Sequence, residues 1–380
     1  MRIGIDLMSF RPGRMGGTEV HMRNLLENLL KIDSKNDYLV LMNSANKDSV
    51  DVSGKANFRK VVVPSSKYSL YLRNMPFLNN APLLRRCLKP LGMDVVLRPF
   101  TAIYPELPGV REVVIIADLL CEERPEYFSL AMRHSRKRMY RNAAVKADGV
   151  IATSNFMKQS IVGHYGVRPG KVRVIYEAAG KQYGRRIPLA ERKMRLNELG
   201  IGFEYVYYPA AAWKHKNHEI LFKAMKLLKE RGSRLKLVLS GLGGNMAELR
   251  EKARSAGCAE QVVILPRIEA SCLPSLYQGA KLMAFPSLYE GFGLPLAEAI
   301  KSGCPVVCAN VGSVPEICGK AAQYFDPHSP EDLAEKIWRV AHDERLRRRL
   351  IKGGRRQAAK FSWEKCAKET IAFLEEVGGS

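Results

Sequence analysis

The feature that most constrains this chain is an alternation that runs twice along its 380 residues. Short β-branched and apolar runs at 3–7, 38–42, 60–63, 95–97, 113–116, 150–152 and 172–175 are separated by amphipathic stretches, among them 18–30, 134–146 and 155–164. Strands that alternate with helices build parallel sheets from βαβ units. The rhythm breaks over 177–195, where Gly180, Gly184 and Pro188 stand among basic residues without a strand pattern, and this segment reads as an interdomain linker. A second series follows at 205–208, 235–240, 262–265, 282–285 and 305–308, with helical patterns between, notably 216–231 and 246–256. Beyond Pro327 the pattern is helical to the end. The expected fold class is α/β, with two doubly wound domains at 1–178 and 186–360 and a closing helix at 361–380. Such domains leave a cleft at the carboxyl ends of their strands, and the loops there are where ligands bind.

Composition narrows the function classes. No apolar run approaches the roughly 20 residues of a membrane-spanning helix. Met1-Arg2-Ile3-Gly4-Ile5-Asp6 reads as an immediate strand rather than a signal peptide, so a cytoplasmic protein is expected. The eight cysteines are scattered without a CxxC pair, which predicts reduced thiols rather than a zinc site or a disulfide framework. Net charge is +23, a field that favours acidic partners. Two clusters lie on helical patterns: Arg133, Arg136, Lys137, Arg138 and Arg141 before Lys146, and Arg345, Arg347, Arg348, Arg349, Lys352, Arg355 and Arg356. Each is either a solvated helix face or a contact with an anionic membrane, peripheral on its inner face. No zinc-finger or RNA-recognition signature accompanies them, so nucleic acid is not an expected partner.

The most informative loop is Pro286-Ser287-Leu288-Tyr289-Glu290-Gly291-Phe292-Gly293-Leu294-Pro295-Leu296-Ala297-Glu298-Ala299. An apolar strand runs into two glycines, and a helix begins near Leu294 with Pro295 suited to its first turn. Glycines admit a ligand close to the backbone, and the free N–H groups of a helix start suit a diphosphate. Glu290 in the loop and Glu298 in the helix then face one ligand from its two ends, accepting from sugar and ribose hydroxyls. The same spacing also fits an ordinary glycine turn with two exposed glutamates.

The Glu-x7-Glu spacing in this setting resembles the signature of glycosyltransferase family 4. So do Gly303-Cys304-Pro305-Val306-Val307, Gly312-Ser313-Val314-Pro315-Glu316, Phe325-Asp326-Pro327 and Phe361-Ser362-Trp363-Glu364. The resemblance spans nearly the whole chain. It implies the GT-B fold, two Rossmann-like domains facing across a cleft, with the donor mainly on the C-terminal domain and the acceptor on the N-terminal one. It also implies transfer with retention of anomeric configuration, and a final helix, opened by Trp363, that crosses back to the N-terminal domain with Phe373 and Leu374 on its apolar face. By that resemblance Glu298 holds the donor ribose, Glu290 lies near the donor sugar, and Gly291, Phe292, Gly293 and Leu294 form a backbone cradle.

Other positions follow the same comparison. In Trp213-Lys214-His215-Lys216-Asn217-His218, Lys216 matches the lysine that neutralises the leaving diphosphate. The family's arginine place is Ala210, and Lys214 is a possible substitute. Read alone, this run also suits a helix cap with a solvated charge cluster. Gly241-Leu242-Gly243-Gly244 brings backbone near the nucleotide, and the loop with Arg267 and Ile268 resembles the segment that reads the base. Gly16 and Gly17 resemble the glycine pair beside donor phosphate and acceptor, while Thr18 or Gly17 also suits a helix cap. Asp118 is a candidate acceptor-side residue or a helix cap; the family's histidine before it is Ala117 here. No Asp-x-Asp occurs, so neither metal nor other cofactor is expected.

The expected partners are a nucleotide-sugar donor, GDP-mannose or similar, and a glycan or lipid-linked acceptor. The expected reaction is hexose or deoxyhexose transfer, as in lipopolysaccharide or O-antigen assembly. Two other classes stay open: a nucleotide-sugar epimerase or phosphorylase, and a weak or inactive GT-B-fold protein bound to anionic membrane. The sequence sets no oligomeric state, and acceptor loops at 65–82 and 99–110 carry no legible pattern.

Overall fold

A computed structural model describes residues 1–64, 81–241, 246–266 and 268–379. The chain divides into two compact units, Met1–Glu177 with Ser362–Ser380, and Ala178–Phe361.

The first unit is built on seven parallel strands: β1 (Arg2–Asp6), β2 (Asp37–Asn43), β3 (Phe58–Val63), β4 (Val95–Arg98), β5 (Arg111–Ile116), β6 (Gly149–Ala152) and β7 (Val172–Val174). Their order is β3-β2-β1-β4-β5-β6-β7. The central strands are buried on both faces, which is why they read as continuous apolar runs. The longer helices are α1 (Gly16–Ile32), α2 (Ala81–Leu88), α3 (Leu130–Lys146) and α4 (Asn155–Tyr165), with a single turn at Leu120–Glu123 before α3. In α1, Met22, Leu25, Leu26 and Leu29 are buried at helical spacing.

The second unit repeats the plan with six strands: β8 (Tyr205–Pro209), β9 (Lys236–Ser240), β10 (Val262–Ile264), β11 (Leu282–Phe285), β12 (Val306–Ala309) and β13 (Ala322–Phe325). Their order is β10-β9-β8-β11-β12-β13, again all parallel. The helices are α5 (Leu189–Glu198), α6 (His218–Glu230), α7 (Met246–Ser255), α8 (Leu273–Gly279), α9 (Leu294–Ser302), α10 (Val314–Cys318), α11 (Pro330–His342) and α12 (Glu344–Ala358). The last helix, α13 (Trp363–Gly378), returns to the first unit and packs on α1. Phe373 lies over Gly149 so closely that a Cβ there would stand 2.7 Å from its ring.

Three features differ from the sequence reading. The expected linker at 177–195 runs into α5, whose charged sequence has only one buried side chain, Leu196, and so little periodicity to betray it. Strand β13 escaped notice because Gln323 interrupts a four-residue run. Helix α1 begins at Gly16, with Met15 rather than Thr18 or Gly17 before its first turn and no side-chain cap.

In each sheet the chain starts in the middle, builds outward to one edge, then returns to build the other. The reversal leaves a switch point between β1 and β4 and another between β8 and β11, the place where doubly wound sheets receive ligands.

Candidate active site

The switch point of the second sheet brings Lys216 and Glu290 together. Lys216 stands in the loop that leaves β8, and Glu290 in the loop that leaves its neighbour β11. Lys216 Nζ lies 2.6 Å from Glu290 Oε1, with side chains 18% and 13% exposed. The loops are stitched together beneath this pair. The Tyr208 hydroxyl donates to the Lys216 carbonyl (2.8 Å) and lies 3.0 Å from Ser287 Oγ, while Leu288 N–H donates to the His215 carbonyl (2.8 Å). Ser313, fully buried after β12, donates to the carbonyls of Glu290 (2.9 Å) and Phe292 (3.3 Å). Ser313 belongs to a quoted motif, but its part in holding the loop depends on distant carbonyls that no spacing reveals.

Gly293 opens α9 at φ +89°, the left-handed region that side chains resist, and an added Cβ would stand 2.9 Å from Leu296 Cδ1. No side chain caps this helix start, and Pro295 occupies its first turn without an N–H to satisfy. Phe292 turns its ring inward, buried edge-on against Phe361, so Phe292 and Leu294 border the turn with side chains packed away from solvent, beside the buried backbone of Gly291.

Glu298 lies further along α9. Tyr277 donates to its Oε2 at 2.8 Å, and the Tyr183 hydroxyl donates to the same carboxylate. Burial pushes its carboxyl up to about 7, against the lowering pull of these two hydroxyls. Neither tyrosine carries a local sequence signal, because their meeting with Glu298 is purely tertiary.

Around Lys216, burial pulls the His215 and His218 imidazoles down to about 4, with Lys216 adding to the effect at both. Lys214 and Trp213 are exposed beside them. Gly241 follows β9 at φ +88°, and its Cβ position would meet the Ala210 backbone N at 3.2 Å, so the chain leaving β8 and that leaving β9 run in close approach. Ile268 is half-buried after β10. Arg267 and residues 242–244 lie outside the described residues.

Gly16, Gly17 and Asp118 belong to the first unit. Gly16 has φ +53° with open space where a Cβ would stand. Asp118 is exposed after β5 and accepts from Leu120 N–H at 3.2 Å, but Leu119 rather than Asp118 precedes the first turn of the short helix Leu120–Glu123, whose start has no side-chain cap. At this unit's own switch point the structure shows a network that sequence reasoning missed. Arg98, 1% exposed, bonds to Asp6 (2.6 Å), to both oxygens of Glu112 (2.7 and 2.8 Å), and to the carbonyls of Tyr104 (3.1 Å) and Pro105 (2.7 Å). The only sequence hint is a charge at the end of each of two apolar strands.

Two family models divide the chain: Glycosyltransferase Family 4 matches residues 15–178, and Glycosyl transferases group 1 matches 195–357. The chain belongs to glycosyltransferase family 4. This family 4 glycosyltransferase is 29% identical over 80% of its length to the O-antigen chain mannosyltransferase B of Escherichia coli, of which it covers 84%. It is 30% identical to a serotype-specific mannosyltransferase, WbdA, of Escherichia coli, but there the match takes in 58% of this chain and only 28% of the relative. Among solved structures, Anabaena Alr3699/HepE in complex with UDP-glucose superposes with a TM-score of 0.77 at 19% identity, covering 99% of this chain and all of that one. These likenesses identify a GT-B glycosyltransferase with two parallel-sheet units. Among the described residues no helix is long and apolar enough to cross a membrane.

Proposed function

We propose that this glycosyltransferase moves a hexose or deoxyhexose, with retention, from a nucleotide-diphosphate sugar such as GDP-mannose to a glycan or lipid-linked oligosaccharide, as in lipopolysaccharide or O-antigen assembly. The Lys216–Glu290 pair at the switch point, beside an uncapped helix start, carries the reading. A diphosphate drawn to that helix start would recruit the Lys216 ammonium as its counter-charge, leaving Glu290 beside the sugar. As the glycosidic C–O bond to the diphosphate breaks, Lys216 and backbone N–H groups would stabilise the departing negative charge. The acceptor hydroxyl would enter from the same face, its oxygen forming the new bond to the anomeric carbon while its proton passes to the departing diphosphate oxygen, with Glu290 flanking the sugar. With no Asp-x-Asp in the chain, this reading assigns the leaving-group charge to Lys216 and amides rather than to a metal. The named mannosyltransferase relative favours mannose and an O-antigen-type acceptor.

The reading is tested by a thermal-shift screen of GDP-, UDP-, ADP- and dTDP-sugars, followed by NMR of the product's anomeric carbon. Donor-specific stabilisation and a retained configuration are expected. Inversion would remove the mechanism, and a requirement for inorganic phosphate would favour a phosphorylase.

Peripheral contact with an anionic membrane is part of the same proposal, and α3 fits it better than α12. The outward stripe of α3 runs Leu130, His134, Lys137, Arg138, Arg141, Val145, with Leu130 68% and Val145 49% exposed. Lys137, Arg138 and Arg141 make no hydrogen bond or ion pair with a described residue. Beside them a cavity of about 830 Å³ is lined by Arg85, Tyr104, Glu106, His134, Arg138 and Lys146, among others. In α12 the apolar residues Leu346, Leu350 and Ala358 are buried, so that helix offers charge alone. Stable adsorption needs charge together with apolar insertion. Flotation with phosphatidylcholine vesicles, with and without phosphatidylglycerol, should show binding that K137E/R138E/R141E abolishes and R345E/R349E/R356E leaves largely intact; the reverse ranking would overturn the assignment.

A further inference from the structure

Glu298 is a partly buried carboxylate that accepts from two phenols that the transfer chemistry does not use. Tyr277 is fully buried, and its ring is fixed edge-on against Tyr207 (5.1 Å, 81°) and Tyr183 (5.7 Å, 75°). Tyr207 is itself tied to Ser240 Oγ at 2.7 Å. Tyr183 sits in a short turn, Lys181–Gly184, and the same segment is fastened to α9 where Lys301 Nζ donates to the Ala179 carbonyl (2.9 Å). Two elements far apart in sequence thus deliver one hydroxyl each to a single carboxylate, and packing leaves neither ring free to turn away.

A carboxylate has about four lone-pair sites, so two tyrosine donors leave about two open. An enclosed ionised carboxylate is costly unless its acceptors are satisfied, and the phenols favour the charged, acceptor-only form. That form matches a ligand bearing two adjacent hydroxyl donors. A protonated Glu298 would present an O–H of its own and fit such a ligand less well.

We propose that Tyr183 and Tyr277 are positioning residues that hold the Glu298 carboxylate to receive the vicinal ribose hydroxyls of the donor, and so make the enzyme select ribonucleotides over their 2′-deoxy counterparts. The proposal rests on the nucleotide-sugar reading above. Replacing either tyrosine by phenylalanine keeps the ring and its packing but removes the donor. The carboxyl then holds its proton to higher pH and turns more freely about its last torsion. Donor affinity falls while the reacting end of the site is untouched.

The test uses the full chain and whichever of UDP, GDP and ADP stabilises the wild type, beside the matching 2′-deoxynucleotide. Calorimetry should give wild-type affinity for the ribonucleotide about tenfold or more above the deoxy form, as expected for loss of a hydrogen bond to a charged group. In Y183F and Y277F that preference should shrink toward unity. With the corresponding nucleotide sugar, the donor KM should rise about tenfold at neutral pH with kcat within about twofold. The acidic limb of kcat/KM should also move to higher pH, so that activity recovers as pH is raised. A merely structural role would lower the melting temperature and kcat without moving that limb. Wild type that treats the two nucleotides alike, or phenylalanine variants with unchanged preference and limb, would overturn the inference while leaving the transferase reading standing. If neither these nucleotides nor dTDP binds the wild type, the transferase reading itself fails, whereas binding of dTDP alone would overturn this inference and leave that reading standing.

Discussion

The two units share one strand order yet use their switch points in opposite ways. In the first, Arg98 is sealed between Asp6, Glu112 and two loop carbonyls, and every strong donor is engaged within the protein. In the second, Lys216 and Glu290 form a single contact and both stay partly open to solvent. Topology chooses the location, and enclosure chooses the role: a fully surrounded cation fixes loops, whereas a half-open one can change partners.

The largest expected contrast breaks the sealed network. Arg98→Met strands two buried carboxylates and should cost about 3–5 kcal/mol in chemical denaturation. Lys216→Ala should change stability by less than about 1 kcal/mol but, under the proposed function, lower kcat about 10²–10³-fold through loss of the cation beside the departing charge. Equal stability losses for the two would erase the distinction.

Glu298→Gln sharpens it further. The Glu298 carboxyl, raised to about 7, keeps its proton in the folded chain over a range where the unfolded chain releases it. The folded state therefore loses relative stability as pH rises from about 4 to about 7, and the loss is constant above that. Removing the charge should raise stability at pH 8 by about 2–3 kcal/mol, leave it unchanged near pH 4, and abolish tight donor binding. A gain at acid pH instead would contradict the burial argument. The smallest expected effect compares two glycines. Gly16→Ala should cost about 1 kcal/mol of backbone strain alone, since its Cβ meets nothing within 4 Å. Gly293→Ala should cost about 1 kcal/mol more through Leu296, and should also raise the donor KM.

Much of this was legible in the sequence for a physical reason. Strands buried on both faces write themselves as apolar runs, and the loop from Glu290 to Glu298 is local, so its spacing survives in one dimension. What stayed hidden was non-local or weakly periodic. Helix α5 offers a single fully buried residue, β13 is interrupted by Gln323, and α1 starts earlier than a capping residue would mark. Tyr183 and Tyr277 meet Glu298, Ser313 meets Glu290, and Asp6 meets Arg98 only through the fold, from segments some 20 to 115 residues apart.

The histidines flanking Lys216 carry a consequence for how the enzyme answers a change of acidity. Both imidazoles remain uncharged until the medium approaches about pH 4. Through the whole range in which cells live they add no cationic pull on a phosphate, and a modest acidification cannot recruit them to do so. Under the proposed function, these two side chains would leave the charge around a departing diphosphate unchanged by ordinary swings in proton concentration.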